Sequence, residues 1–212
     1  MVINNRTLTI EFQSAFRVGS GLGRAWKLDH TALRDARGLP YIPGSTLKGL
    51  LRHLCRRLAL SLGYPNYGRI CQTMANDRPC PPENPEPCII CRMFGSRFRE
   101  GALRFGDARL AEADRKRLLL ERAVAPRPPG TAPGESRTQV KLSRMRRVAE
   151  PQLLFCGEVV AAMTFTGQIT GTLTPEQEEL LIWGAKLLTH LGAQKGRGLG
   201  LCQVSITGGT SP

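Results

Sequence analysis

The stretch that decides the reading of this chain is Tyr41 to Leu62, YIPGSTLKGLLRHLCRRLALSL. Pro43 and Gly44 break an extended run, Ser45 or Thr46 can cap the orphan N–H groups of a first turn, and Leu47, Leu50, Leu51, Leu54, Leu58 and Leu62 then recur at helical spacing. The pattern predicts a strand end, a glycine turn and an amphipathic helix whose other face carries Lys48, Arg52, His53, Arg56 and Arg57. A row of cations beside a helix N-terminus favours anions, and phosphate is the obvious guest. Taken alone, the same pattern also describes a solvated basic face on an ordinary core helix.

Composition shifts the balance toward the anion. The 212 residues fit one domain with insertions or two small ones, and 41% hydrophobic content is enough for a real core; a single domain over residues 1–212 is the expectation carried forward. The net charge is +13, and 24 of the 30 basic residues are arginine, the residue suited to bidentate phosphate contacts and stacking. Nucleic acid is therefore the expected partner. No apolar run approaches the roughly 20 residues of a transmembrane helix, and MVINNRTLTI lacks the basic-then-apolar layout of a signal peptide. The expectation is a cytoplasmic protein with no membrane partner.

In a reducing compartment the seven cysteines need an explanation other than disulfides. Four of them, Cys71, Cys80, Cys88 and Cys91, fall in a Pro-, Asn- and Gly-rich stretch within residues 63–96 that ends in a C-x-x-C knuckle. Four thiolates can close a tetrahedral Zn2+ site, which would supply folding energy to an insertion with few large apolar residues. With all four positions filled by protein, that metal is structural. The competing readings are loose thiols, or a redox pair at Cys88 and Cys91, although no flanking strand and helix are evident to frame one. Cys55, Cys156 and Cys202 read as small core residues.

The N-terminal segment alternates, with Leu8, Ile10, Phe12, Ser14, Phe16 and Val18 on one side and Arg17 on the other, as in a half-buried strand. It runs into GSGLGR, where Gly21 and Gly23 let backbone N–H groups approach a phosphate; a purely structural glycine turn is the alternative. Trp26 to Pro40 reads as a loop holding Asp29, His30 and Asp35, carboxylates that either pair with basic neighbours or hold a metal or move a proton at a phosphodiester. GALRFGDARLA reads as a short strand with Leu103 and Phe105 inward, and residues 121–137 as a mobile tip without regular structure. The basic run with Arg137, Lys141, Arg144, Arg146 and Arg147 reads as the return arm of a long hairpin that tracks a nucleic-acid backbone. Phe155 to Ile169 reads as one strand. A second helix opens on Thr174, Pro175 and Gln177 with a stripe of Leu180, Leu181, Trp183, Leu187, Leu188 and Leu191. A basic glycine loop at Lys195 to Gly200, including Arg197, leads into a last strand with Cys202, Val204 and Ile206 inward. Two helices alternating with strands give an α+β, ferredoxin-like architecture.

In this order, YIPGSTLKGLLRH, CRMFGS, GALRFGDARL, RTQVKLSRMRRVAEPQLLF and GAQKGRGLG together resemble the RAMP superfamily, most closely the backbone subunits of type III CRISPR effector complexes. The resemblance spans nearly the whole chain. It implies a modified RNA-recognition-motif palm, a thumb-like basic hairpin over residues 120–150 that wedges into guide RNA, a palm glycine loop at Lys195 to Gly200, and stacking with neighbouring backbone subunits along a guide CRISPR RNA. It further implies that Asp29, by its distance from Ile42-Pro43-Gly44-Ser45, cleaves complementary target RNA with Mg2+ or Mn2+, although His30-Thr31 depart from the small residues or proline expected after it. The RNA contacts then fall to Arg17, Gly21, Gly23, Ser45, Lys48, Arg52, Arg137, Lys141, Arg144, Arg146, Arg147, Lys195 and Arg197. Two rivals remain: a non-catalytic backbone or capping subunit acting only as an RNA clamp, and a guide-processing endoribonuclease using His30 or His53.

Overall fold

Alternation along β1 (Asn5–Phe12) buries Leu8, Ile10 and Phe12 and leaves Thr7, Thr9 and Glu11 toward water, which places this strand inside a half-covered sheet. The computed structural model describes residues 4–19, 21, 23, 29–62, 70–71, 80, 86–124 and 134–208. After β1 come β2 (Tyr41–Ile42), α1 (Gly44–Ser61), α2 (Ile89–Phe94), β3 (Arg104–Phe105), β4 (Ala108–Leu110) and α3 (Glu112–Val124). The chain continues through β5 (Gly134–Leu142), β6 (Ala149–Val160), β7 (Thr164–Thr170), α4 (Pro175–Lys186) and β8 (Cys202–Gly208). The main sheet runs β2-β4-β7-β1-β8, with β3 also on β7, and every pairing in it is antiparallel. β5 and β6 form a separate two-stranded antiparallel hairpin, tied to the rest of the described residues by isolated bridges from Phe16 to Val160 and from His30 to Gly157. The architecture is α+β.

α1 and α4 pack together, with Cys55 Sγ donating to Leu180 O at 3.4 Å. The α1 start departs from expectation. Neither Ser45 nor Thr46 caps it; Pro43 occupies the cap position, and the N–H of Gly44 donates to Asp107 Oδ1 at 2.9 Å. A side chain at Gly44 would collide with the Phe105 and Gly106 backbone, so the glycine is required by this close approach. The buried stripe of α1 is Leu47, Leu51, Cys55 and Ala59, while Leu50, Leu54 and Leu58 flank it and Leu62 is exposed. α4 carries the expected capping box between Thr174 and Gln177. Its expected stripe is too wide, because Trp183 and Leu187 face solvent.

The hairpin region also departs from expectation. α3 is absent from the sequence reading because its 13 residues are mostly charged and only Leu118 is buried, so no apolar stripe marks it. It includes residues 121–124 of the expected irregular tip; residues 125–133 lie outside the described set. The basic run is the outgoing arm β5 and the tip of the hairpin, with β6 as the return arm. Phe155 to Ile169 is two strands. β6 belongs to the hairpin and β7 to the main sheet, and Phe155 and Ala161 are exposed instead of sharing an inner face. β1 likewise ends at Phe12, and Phe16 returns only as an isolated bridge to Val160.

A buried ion pair ties the sheet to α4. Arg6, fully buried, donates through Nε to Glu178 Oε1 at 2.5 Å and through Nη1 to Gly171 O at 2.9 Å. Among the described residues, no helix is long and apolar enough to cross a membrane.

Candidate nucleic-acid interface and metal centre

The hairpin exposes a run of apolar side chains to water. Val140, Leu142, Met145, Val148, Leu154 and Phe155 all face water, interleaved with exposed Arg137, Lys141, Arg144, Arg146 and Arg147. Two isolated strands are marginally stable in water, and an apolar surface of this kind is the usual mark of a binding surface. Lys141 is held by Glu150 at 3.2 Å across the strands.

At the base of the hairpin, the loop with Asp29 is laced to β6. Asp29 N donates to Cys156 O at 2.8 Å, and Cys156 N donates back to Asp29 Oδ2 at 2.7 Å. One residue on, Glu158 N donates to His30 O at 2.9 Å. Glu158 then turns its carboxylate onto the same loop, accepting from Ala32 N at 2.9 Å and from Arg34 Nη2 at 2.5 Å. The carboxylate of Asp29 is thus exposed yet fixed to the strand that leads to the hairpin tip.

Arg17 joins this corner. It is only 7% exposed, its guanidinium fills the space a side chain at Gly157 would need, and burial lowers its pKa from the ordinary arginine value. Its carbonyl accepts from Ala193 N at 2.8 Å, which brings the loop with exposed Lys195 and Arg197 against the same segment. That loop is a single 3-10 turn bounded by Gln194 and Gly198, both left-handed. The fold therefore gathers Asp29, Arg17, the hairpin base and the stretch leading to Lys195.

Ser45, Lys48 and Arg52 lie instead on α1. Gly21 is left-handed (φ 76°) and exposed, as is Gly23 in burial, and Ser45 is exposed at the α1 start. Lys48 and Arg52 are half-buried on α1, whose neighbours are α4, α2 and β3, and Lys48 Nζ donates to Leu103 O at 3.3 Å. Asp35 is a turn residue, its Oδ1 accepting from Arg37 N at 2.9 Å and Leu39 N at 2.8 Å.

Sequence reasoning missed Glu158 and Arg34. The available signal was a lone acid in the apolar return strand CGEVV, which a buried position tolerates only when paired. Cys156 was misassigned to the core. It is half-buried in the exposed strand, and its role at this corner is played by its backbone.

The thiols of Cys71, Cys80, Cys88 and Cys91 converge, all four sulfurs lying within 4.8 Å of one another. Cys71 Sγ is 3.4 Å from Cys91 Sγ and 3.5 Å from Cys88 Sγ. Tetrahedral zinc with bonds of about 2.3 Å separates its sulfurs by roughly 3.8 Å, so the donor set fits a metal such as zinc with small adjustment. The Cys91 thiol lies against Cys88 and lowers it to about 4, while the same contact pushes Cys91 up, and burial raises Cys71 to about 11. A thiolate is what a metal needs. One feature differs from the sequence reading: Cys88 caps α2 and Cys91 lies within it, so a helix does frame the knuckle. Ile89, Ile90, Met93 and Phe94 of α2 are buried in the main core, which anchors this end of the insertion.

The chain is thus α+β, with an exposed basic hairpin and a four-thiol cluster. Residues 9–203 match the family model of the RAMP superfamily, and the chain belongs to that superfamily, a CRISPR-associated group of RNA-binding proteins. No curated protein matches the chain.

Proposed function

We propose that this protein is a guide-RNA-binding backbone subunit of a type III CRISPR effector complex, and that it cuts bound target RNA through Asp29. The observation that carries the proposal is the pair of hydrogen bonds between Asp29 and Cys156, which fixes the carboxylate to the base of the basic hairpin. A hairpin that wedges into the guide–target duplex would displace a nucleotide near its base, where Asp29 waits and Arg17 adds positive charge. Support for the palm comes from the strand order. Reading β1, β4, β7 and β8 as four strands with α1 and α4 after the first and third gives order 4-1-3-2, the ferredoxin-like arrangement.

Among the described residues, the cysteine cluster is the only group of three or more potential ligands. A lone exposed carboxylate such as Asp29 still suits Mg2+ or Mn2+, which bind through one or two carboxylates, waters and substrate phosphates. When bound, the ion supplies charge at the scissile phosphate. Asp29 would hold it or accept the proton of the attacking 2′-hydroxyl. The cysteine cluster would hold structural Zn2+, with no part in the reaction.

The test is cleavage of complementary RNA by the assembled complex with Mg2+ or Mn2+. Asp29→Ala is expected to abolish cutting while guide binding and assembly persist, and His30→Ala to have a milder effect. Cutting by Asp29→Ala at the wild-type rate would overturn the assignment, and a wild type that never cuts would make the protein an RNA clamp alone.

A further inference from the structure

The loop that begins at Asp29 ends in a turn held more firmly than a connection requires. Besides the two bonds to Asp35 Oδ1, Asp35 N donates to Leu39 O at 2.9 Å and Gly38 N donates to Asp35 O at 2.8 Å. Arg34 Nη1 reaches Gly38 O at 3.2 Å, and Arg122 of α3 donates through Nη1 to the Arg37 carbonyl. Gly38 has φ +72°, and a Cβ there would strike the Arg122 guanidinium, so the turn is built for glycine. What this rigid turn presents is Arg37.

Arg37 lines a cavity of about 260 Å³ together with Leu39, Tyr41 on β2, Arg109 and Leu110 on β4, and Arg115 on α3. Asp35 and Pro40 complete the lining, so three arginines and one aspartate border the cavity. The acids close by are Asp35, whose Oδ1 is engaged in the turn, and Glu112, 3.8 Å from Arg115, so the balance is cationic. Guanidinium forks match phosphate oxygens bidentately. A phosphate alone would leave most of the volume empty, and besides Asp35 the remaining lining is Tyr41, Pro40, Leu39 and Leu110, a largely apolar set against which a base can lie. Because the turn fixes the Arg37 backbone, the ordering cost on binding is confined to its side chain.

We propose that this cavity binds a single nucleotide, its phosphate held by Arg37, Arg109 and Arg115 and its base set against Tyr41, Leu39 and Leu110. The site goes beyond the guide and target contacts argued above. It lies by β2, at the edge of the main sheet, whereas Asp29 is joined to the hairpin. The nucleotide arrives either as a free molecule or as one residue of a bound RNA; the recognising chemistry is the same.

Titration calorimetry on the full chain cleared of nucleic acid tests this with adenosine monophosphate, adenosine and inorganic phosphate. The monophosphate is expected to bind at least about tenfold more tightly than either fragment, and Arg109→Ala or Arg37→Ala to weaken it about tenfold by removing a charged contact. Repeating the titration on RNA-loaded protein separates the sources. Loss of monophosphate binding, with a lower RNA affinity in Arg109→Ala, identifies an RNA residue as the occupant; unchanged binding identifies a free nucleotide. The proposal is overturned if the monophosphate binds no better than phosphate, or if both variants bind it like the wild type. Those results leave the guide-RNA reading standing, since the titration requires neither guide nor cleavage.

Discussion

Glu158 offers the sharpest perturbation of the hairpin corner. Its carboxylate makes the only side-chain ion pair between the Asp29 loop and β6 among the described residues, and the two side chains are 9% and 11% exposed. Removing one partner of a buried pair costs about 3–5 kcal/mol, because the other charge is left without compensation. In Glu158→Ala the Arg34 guanidinium keeps its bond to Gly38 O at 3.2 Å, while Ala32 N loses its acceptor. The lower end of the range, about 3 kcal/mol, is therefore expected. At about 2–4 °C per kcal/mol for a chain of this size, Tm should fall by about 6–12 °C. Thermal unfolding followed by circular dichroism reads the loss, and amide exchange at residues 29–34 should accelerate in the same variant. Replacing both partners with leucine should recover most of the stability, since apolar substitutes avoid the stranded charge. A Glu158→Ala protein that melts within about 1 °C of wild type, or a double variant no better than the single one, would refute this account of the corner.

Two further outcomes follow from the other surfaces. Purified protein should carry one zinc per chain, and Cys88→Ser should lose it, with the insertion loosening more than the main sheet; elemental analysis finding no zinc, or unchanged metal in the variant, would contradict the thiol cluster as a metal site. RNA affinity should fall steeply with salt, by about 0.7 log units per phosphate contact per log unit of salt, and Arg144→Ala, Arg146→Ala or Arg197→Ala should each flatten that slope. A complex insensitive to salt would remove the hairpin and the 3-10 turn from the phosphate contacts.

What the sequence made legible follows from how strongly each residue's surroundings are coded nearby. The alternation of β1 as far as Phe12, the capping box of α4 and the apolar half of β8 are local patterns, and these were readable. The cysteine knuckle was readable because few uses of four clustered thiols compete. α3 was not, because a charged helix with one buried leucine has no stripe to see. The break between β6 and β7 was hidden for a different reason: the apolar residues Phe155, Val159, Ala161, Met163, Phe165 and Ile169 keep one phase across it, and only the pairing partners, distant in the chain, divide Phe155–Ile169 into hairpin and sheet. The cap of α1 came from Asp107, 63 residues away, and the anchor of the Asp29 loop from Glu158, 126 residues from Ala32. Long-range hydrogen bonds of this sort leave no trace in a short window. Arg6 and Glu178 make the same point, since each looks like a surface charge until the fold buries them together.

The central claim, that this chain holds a guide RNA, is tested most directly by identifying the RNA that copurifies with the complex expressed from its own source. Short RNAs of uniform length that share one repeat-derived end and differ in the remainder are expected, retained by wild type and released as hairpin arginines are replaced. Recovery of no RNA, or of random cellular fragments unaffected by replacing Arg144, Arg146 and Arg147, would contradict it.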